Sequence, residues 1–228
     1  FEDSRTLAEA LVKTGRNFGV KTEAVISDMS QPLGKYVGNA LETYECIKIL
    51  KGETESDAEA TLELSLELSA RVLVLAGISD DVAAARDLAA ATLNGGEAFV
   101  RFQQNIELQG GDTSICDNPD LLLDGSLLEV AIKAGDTGVV SEIDTLAIGN
   151  AIVAIGGGRT KADDRIDHAV GYASHAKIGD PLKNGELLGV LFCRTEEQAD
   201  SIAATLRKSY KLADESISRP ALIKTVIS

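Results

Sequence analysis

The sequence predicts two regions of different fold class, an α/β region over residues 1–115 and an α+β region over residues 127–228. Near the N-terminus a helical pattern runs directly into a β-branched segment, which is typical of an α/β layer. Further helical patterns follow, each with an apolar side. The pattern then changes to short strands and glycine-containing turns, so we place the boundary between about residues 115 and 127.

Composition limits the classes of protein to consider. The 228 residues suffice for one large domain or two ordinary ones, and a net charge of −14 argues against a nucleic-acid-binding surface. A small anionic substrate is not excluded, because it needs only a local positive site. No stretch has the ~18 to 20 apolar residues of a membrane span, and we recognise no signal peptide, so we expect no membrane partner. The first residue is not Met, and we expect a further segment upstream.

Three cysteines, Cys46, Cys116 and Cys193, are far apart in the sequence, and there is no CxxC motif. With only two histidines in the chain, this favours reduced thiols in a cytoplasmic protein over a disulfide framework or a zinc site. Cys46 and Cys193 lie in apolar runs, so we expect both to be small core residues.

The first region reads as helix, strand and then four helices. Ser4 is a good N-cap for the first helix, Gly19 ends it, and residues 20–27 predict a strand. The apolar face of the first helix is formed by Leu7, Leu11, Val12 and Phe18. The later helices are predicted over residues 38–52, 56–77, 80–96 and 96–111, the third of them with Ser79 as its N-cap.

The helix over residues 56–77 is the ambiguous one. Its leucines alternate with other residues from Leu62 to Leu68, which is formally a strand pattern. Leucine and glutamate are nevertheless good helix formers, Ser56 can cap the start, and Gly77 can end the segment. We therefore predict a helix that is apolar on more than one side and buried.

The second region is predicted from its turns and caps. Residues 127–144 predict a β-hairpin with a Gly-Asp-Thr-Gly turn. Thr195 and Gln198 form a capping box for the last helix. The remaining elements are a short helix over 144–158, a charged loop over 159–167, short strands over 168–194 and the last helix over 196–213.

Two motifs in the second region allow a functional and a structural interpretation. The run Gly156–Gly158 with Arg159 could bind a phosphate, but these glycines follow a helix instead of opening one after a strand. We therefore favour a helix stop. His168 and His175 could form a base or ligand pair, but no Ser or Cys partner is evident, and we favour structural or surface roles.

The segment over residues 178–192 is similar to the hairpin of barrel-sandwich folds, in which lipoyl and biotinyl carrier domains present a modifiable lysine at a turn. Here Lys183 and Asn184 occupy the turn, without the Met-Lys-Met or Asp-Lys context of those carriers. The pattern therefore predicts a shared fold, not a shared function.

Residues 26–45 hold more small polar residues than an ordinary loop requires. A Pro-Leu-Gly turn between strand and helix exposes backbone carbonyls, and the helix that follows supplies Glu42 and Glu45. Carbonyls with one carboxylate suit a hard cation such as potassium, calcium or magnesium. From spacing alone, a turn with ordinary solvated glutamates is the alternative.

The sequence ISDMSQPLGKYVGNALE in this segment resembles the signature of the pyrimidine-nucleoside phosphorylases, the family that includes thymidine phosphorylase. The match comprises residues 27–34, 38–42 and Glu45, and the resemblance continues over residues 50–53, 140–167, 170–186 and 218–228. It implies the C-terminal portion of a phosphorylase α/β domain over 1–115. Over 127–228 it implies the family's C-terminal α+β domain, a hammerhead-like and barrel-sandwich-like module.

The resemblance implies an enzyme in which phosphate cleaves pyrimidine (deoxy)nucleosides to free base and sugar 1-phosphate. The family's phosphate loop and pyrimidine-binding residues belong to an upstream part, with a helical domain through which we expect a homodimer. The resemblance therefore transfers no catalytic and no substrate-binding residue to this chain, and we expect the chain alone to be inactive. The alternatives are a separate non-catalytic subunit or binding module, and a fragment of a nucleoside-monophosphate phosphorylase.

The resemblance does transfer a cation site. It implies a potassium ion held by the backbone carbonyls of Leu33 and Tyr36 and by the carboxylate of Glu45, with further ligands from the upstream phosphate loop. Tyr36 stands where a smaller residue is common in the family. The carbonyl is the ligand, so this difference leaves coordination possible.

Overall fold

The structure is a computed structural model that describes all residues from 1 to 228. The helices are α1 (Glu2–Asn17), α2 (Asn39–Leu50), α3 (Glu59–Leu75), α4 (Val82–Asn94), α5 (Glu97–Leu108), α6 (Ser114–Asp117), α7 (Thr145–Ile152) and α8 (Glu196–Lys208). The strands are β1 (Ala24–Ser27), β2 (Tyr36–Val37), β3 (Leu128–Lys133), β4 (Gly138–Ile143), β5 (Gly171–Ser174), β6 (Pro181–Leu182), β7 (Leu187–Cys193), β8 (Tyr210–Ala213) and β9 (Ile223–Ile227). This mixture of helices and several sheets is consistent with an α+β class.

Three separate antiparallel sheets organise the strands. Their strand orders are β1-β9, β2-β5-β7-β3 and β6-β4-β8. Both strands from the first predicted region thus pair with later ones: β1 with β9, at the C-terminus, and β2 with β5. The two predicted regions are therefore joined by backbone hydrogen bonds at two places.

The largest core lies in the second predicted region. Its cluster of nineteen buried apolar residues runs from Ile132 to Tyr210 and includes Tyr172, Leu191 and Leu206. In contrast, α1 buries only Ala8 and Val12. Of the apolar face predicted for this helix, Val12 is buried, whereas Leu7, Leu11 and Phe18 are exposed, Phe18 to 81 %, so most of that face is uncovered.

The predicted helices of the first region are present, but the N-caps predicted at Ser4 and Ser79 are wrong. Ser4 lies inside α1, which begins at Glu2, and the N-cap of α4 is Asp81 instead of Ser79. The Asp81 carboxylate accepts the N–H of Ala84 at 2.8 Å. Asp81 lies two residues after Ser79, and its carboxylate is the group that reaches the first-turn N–H.

Residues 59–75 form a helix, as predicted, but the helix is not buried. Of α3, only Ala70 is fully buried, whereas Leu68 and Val72 are exposed. Ser56 begins a short 3-10 turn before the helix and does not cap it. The leucine-rich pattern specified the helix, but not what covers it.

The predicted β-hairpin over residues 127–144 is wrong. Strands β3 and β4 form as expected, but β3 pairs with β7 while β4 pairs with β6 and β8, in a different sheet. The Gly-Asp-Thr-Gly segment therefore connects two sheets. Each strand buries its apolar side better against distant partners, which buries Ile132 and Val140 almost completely.

The last helix is shorter than predicted, because α8 ends at Lys208 and residues 210–213 form β8. Its cap is confirmed: the Thr195 hydroxyl accepts the N–H of Gln198, whose side chain accepts the N–H of Arg194. Among the cysteines, Cys193 is buried as predicted. Cys46 is exposed on α2, so the prediction that it is a core residue is wrong.

Candidate functional site

Strand β1 delivers the chain to the segment over residues 28–38. At its end, the N–H of Asp28 donates to the carbonyl of Leu222 at 2.8 Å, and the Asp28 carboxylate pairs with Lys224 at 3.0 Å. The Ser30 hydroxyl donates to the same carboxylate at 2.8 Å. Asp28 therefore anchors the start of the segment to the C-terminal strand.

The turn over residues 31–34 is held by residues just after β5. The Gln31 side-chain oxygen accepts the N–H of Ile178 at 2.9 Å. The Lys177 ammonium donates to the carbonyls of Pro32 and Gly34, each at 2.6 Å. Burial lowers the pKa of Lys177 to about 8, and the nearby charge of Glu45 opposes this shift.

The segment then runs against β5. The N–H of Ser174 donates to the carbonyl of Lys35 at 2.7 Å, and β2 pairs with β5. Gly38 follows with φ 141° at the N-cap of α2, and a Cβ at this position would lie 2.7 Å from the carbonyl oxygen of Val170. Only glycine fits this close approach.

Helix α2 brings Glu45 back toward the turn. Its buried residues include Leu41 and Ile47, and Glu45 lies on the same side with only 6 % of its surface exposed. The carboxylate accepts the N–H groups of Lys35 at 3.0 Å and Tyr36 at 3.5 Å. Burial raises the pKa of Glu45, and these two hydrogen bonds only partly oppose the shift.

Gly34 makes room for the Glu45 carboxylate. A Cβ on Gly34 would overlap both carboxylate oxygens. Any other residue would therefore displace the carboxylate from the turn. The glycine of the Pro-Leu-Gly motif thus has a specific steric role.

The structure brings two of the three predicted ligands together. Tyr36 and Glu45 line one small cleft between β2 and α2. Leu33 lines a neighbouring cleft of ≈ 360 Å³, which also contains His175 and Lys177. In the turn, the carboxylate of Glu45 contacts N–H groups. The convergence of its oxygens with the carbonyls of Leu33 and Tyr36 therefore stays a prediction.

The donors of this site suit a monovalent cation. Glu45 is a buried carboxylate that takes part in none of the chain's salt bridges, and the positive charge of Lys177 acts on it only from beyond salt-bridge distance, so a further counter-ion would stabilise it. The adjacent carbonyls of Pro32 and Gly34 already bind a monovalent cation, the Lys177 ammonium. Nowhere do three or more His, Cys, Asp or Glu side chains come together as a possible metal site.

The glycine run after α7 is a helix stop, as predicted. Gly156 has φ 101°, and its carbonyl accepts the N–H of Asp167. The Gly157 carbonyl accepts a hydrogen bond from the Asn39 side chain at 3.0 Å. The run therefore contacts the candidate segment, through a long-range bond that sequence spacing does not reveal.

The main chain of both histidines takes part in backbone hydrogen bonds. The carbonyl of His168 accepts the N–H of Ala40, and the N–H of His175 donates to the carbonyl of Leu188. Burial lowers the pKa of His175. Sequence reasoning missed Lys177, because one lysine between short strands gives no signal of which carbonyls it will reach.

Two family models match the chain. The model described as "Glycosyl transferase family, a/b domain" covers residues 1–99, and the model described as "Pyrimidine nucleoside phosphorylase C-terminal domain" covers residues 139–213. The first of these descriptions gives the class of protein that the chain resembles, a glycosyl transferase family. No helix is both long and apolar enough to cross a membrane.

Curated relatives identify the family. The chain is 40 % identical over 227 residues to a pyrimidine-nucleoside phosphorylase of Bacillus subtilis (strain 168) and 38 % identical over 227 residues to one of Staphylococcus aureus (strain USA300). Each alignment covers 100 % of the chain and 51 % of the relative. The chain belongs to the pyrimidine-nucleoside phosphorylase family, and it spans about half the length of the curated relatives it matches.

Proposed function

We propose that the protein to which this chain belongs catalyses phosphorolysis of pyrimidine (deoxy)nucleosides. A phosphate oxygen attacks the anomeric carbon while the bond from that carbon to the base nitrogen breaks, and the base leaves with the bonding electrons. The products are the free base and a sugar 1-phosphate. The observation that carries the proposal is the 40 % identity to a pyrimidine-nucleoside phosphorylase along the whole chain.

In this proposal the chain helps to hold the active site in place, but it does not provide the groups that react. The resemblance transfers no catalytic or substrate-binding residue to it. Positioning and electrostatic stabilisation dominate such a reaction, because an oxocarbenium-like transition state needs no covalent enzyme nucleophile. The isolated chain is therefore inactive. Another part of the protein supplies the phosphate loop and the pyrimidine-binding residues, and its helical domain provides the lid-like closure and the homodimer contact.

The support is a potassium site formed by the carbonyls of Leu33 and Tyr36 and the carboxylate of Glu45. The buried, unpaired carboxylate of Glu45 and the hard oxygen donors of the turn favour it. When bound, the ion would supply a positive charge that attracts oxygens of a phosphate-binding loop. The chain's own contribution is to hold the turn and the carboxylate in place.

The domain division follows the same proposal. Residues 1–115 complete a phosphorylase α/β domain, and residues 127–228 form a hammerhead-like, barrel-sandwich-like module. The nineteen-residue core of the second region supports this division. The exposed apolar face of α1 and the two-stranded sheet β1-β9 support a larger α/β domain, since a two-stranded sheet has little stability alone. We also propose a cytoplasmic location.

The proposal is tested with the natural, full-length protein. Its intact mass should be about twice the 24.0 kDa of this chain, given the 51 % coverage of the relatives. Purified protein is then incubated with thymidine or uridine and phosphate, and the base and sugar 1-phosphate are quantified. Phosphate-dependent cleavage supports the proposal. A full-length protein without it, or turnover by the pure 228-residue chain, contradicts it.

A further inference from the structure

The Lys177 ammonium has an unusual set of partners for a lysine in this chain. It donates to the carbonyls of Pro32 and Gly34 at 2.6 Å each, across more than 140 residues of sequence. These two carbonyls flank Leu33, whose own carbonyl is a proposed potassium ligand. The side chain thus contacts the turn on both sides of that ligand.

Lys177 is not held there by an ion pair. None of the salt bridges includes it, although the charges of Glu45, Asp57 and Asp180 lie near enough to favour the ammonium form. The two carbonyls are therefore its hydrogen-bonding partners in a largely buried position. Hydrogen bonds from a charged donor are stronger than neutral ones, so two of them restrict the peptide planes of the turn.

The neighbouring bonds come from the same part of the chain. The N–H of Ile178 donates to the Gln31 side chain, and the N–H of Ser174 donates to the carbonyl of Lys35. Residues 174–178 thus hold the segment before and after the turn, and Lys177 holds the turn itself. Directly after the turn, the Glu45 carboxylate accepts the N–H of Lys35.

We infer that Lys177 is a positioning residue, which orients the Pro32–Gly34 turn and through it the backbone oxygens offered to the cation. The inference rests on the proposed function for its consequence, potassium binding, but not for the contact itself. It assigns to the second region of the chain a direct role in a site whose three proposed ligands all belong to the first. In this role Lys177 acts through the carbonyls of Pro32 and Gly34.

The first test follows the turn directly, without activity. Lys177→Met removes the ammonium and keeps the apolar stem, while Lys211→Met is the matched control, since Lys211 lies in the same region, is 64 % exposed and pairs only with Glu142. Hydrogen exchange is measured on the full-length protein. Loss of bonds from a charged donor should accelerate exchange of the Lys35 and Tyr36 amides about tenfold or more in Lys177→Met. The control should leave these amides unchanged.

Unchanged exchange in Lys177→Met, or equal acceleration in Lys211→Met, overturns the inference. A crystal structure of the unmodified protein requires no variant and tests it independently of folding. It should show the Lys177 ammonium within hydrogen-bonding distance of both carbonyls, and an ammonium directed elsewhere refutes the assignment.

The second test asks whether the turn serves a cation. The melting temperature of each full-length variant is followed against KCl at constant ionic strength, with choline chloride as the balancing salt. Lys177→Met should raise the half-saturating potassium concentration about tenfold, whereas Lys211→Met should leave it unchanged. Equal potassium response in Lys177→Met and the wild type overturns the positioning role. If the wild type shows no potassium response, the cation proposal fails, and the exchange experiment still decides the contact.

Discussion

The N–H of Lys35 donates to the carboxylate of Glu45 at 3.0 Å. This hydrogen bond joins a buried charge of α2 to the segment that precedes the helix. Glu45 is 6 % exposed and has no ion-pair partner, so the two N–H bonds from Lys35 and Tyr36 must offset much of its lost hydration. The closeness of the Glu45 carboxylate to the turn also explains why residue 34 is a glycine. A buried charge, a glycine and a turn thus form one structural unit.

Replacing Glu45 by glutamine tests the charge of this unit. Glu45→Gln keeps the shape of the side chain and removes the negative charge. In the full-length protein we expect a weaker potassium dependence of phosphorolysis and a lower affinity for phosphate, with unchanged selectivity between thymidine and uridine. Initial rates against potassium, phosphate and nucleoside concentrations measure all three.

Glu42→Gln is the matched control for that variant. Glu42 lies on the same helix but is exposed, and it accepts only the N–H of Gly38 at the helix start. Its replacement should leave the potassium response as in the wild type. If Glu45→Gln also shows the wild-type potassium response, Glu45 has a purely structural role.

Gly34→Ala tests the steric relationship. The new Cβ would overlap both Glu45 oxygens, so the carboxylate must move away from the Lys35 N–H. We expect a destabilisation of about 1–3 kcal/mol, as for other overpacked sites, together with a weakened potassium response. Urea unfolding of the full-length protein gives the free energy.

Gly149→Ala provides the comparison for this variant. Gly149 lies inside α7, and a Cβ there would meet no atom within 4 Å. Because alanine is a better helix former, this change should stabilise the protein by roughly 0.5–1 kcal/mol. If Gly34→Ala were equally harmless, the close approach of Glu45 to the turn would be refuted.

A second prediction of stability concerns pH. The Ser126 hydroxyl and N–H, with Arg194, lower the pKa of Asp124 to about 2, and Arg194 lowers that of Asp167. The folded state thus binds these protons less readily than the unfolded state. The stability they contribute is present above the ordinary Asp value of 3.8 and is lost as the pH falls toward about 2.

Arg194→Met isolates this contribution. Unfolding free energies of the wild type and the variant are compared from pH 6 to the acid limit of reversible unfolding. The wild type should be the more stable protein at pH 6, and the difference should shrink steadily below about pH 4, as both carboxylates become protonated. A difference that stays constant across this range would show that Arg194 acts through packing alone.

The buried hydroxyls of the second region allow a test that is independent of the cation site. Tyr172 donates to the Tyr210 hydroxyl at 3.2 Å, and the Ser174 hydroxyl lies 2.9 Å from it. Tyr210→Phe removes the shared partner, and should cost about 1–3 kcal/mol because buried polar groups are left unsatisfied. Tyr44→Phe, at a half-buried position, should change the urea midpoint much less.

The strand pairing shows where local pattern stops being informative. The segments of β3 and β4 have the composition of strands, and both form strands. The short glycine turn between them suggested a hairpin, but each found a distant partner. Local propensity determines whether a segment forms a strand. Which strands pair depends on which surfaces the whole chain can bury together.

The candidate site likewise has features that the sequence pattern predicted and one contact that it did not predict. The motif from Ser27 to Glu45 predicted a turn with available carbonyls and a helix bearing a carboxylate, and α2 begins one residue after Gly38 as the pattern indicates. Glu45 and Gly34 contact each other through a local fold-back, which sequence spacing makes plausible. Lys177 lies far along the chain, so its contact required the folded structure.

The sequence by itself determined the family, the mixed class, the helical segments and the identity of the turn, because these depend on motifs and on periodicities of a few residues. Only the tertiary structure decided which strands pair, that most of the apolar face of α1 is uncovered, and that an ammonium from residue 177 binds the turn at residues 32–34. These features arise from contacts between segments distant in sequence. Their free energy depends on the simultaneous burial and hydrogen bonding of many groups, and no single stretch of residues contains it.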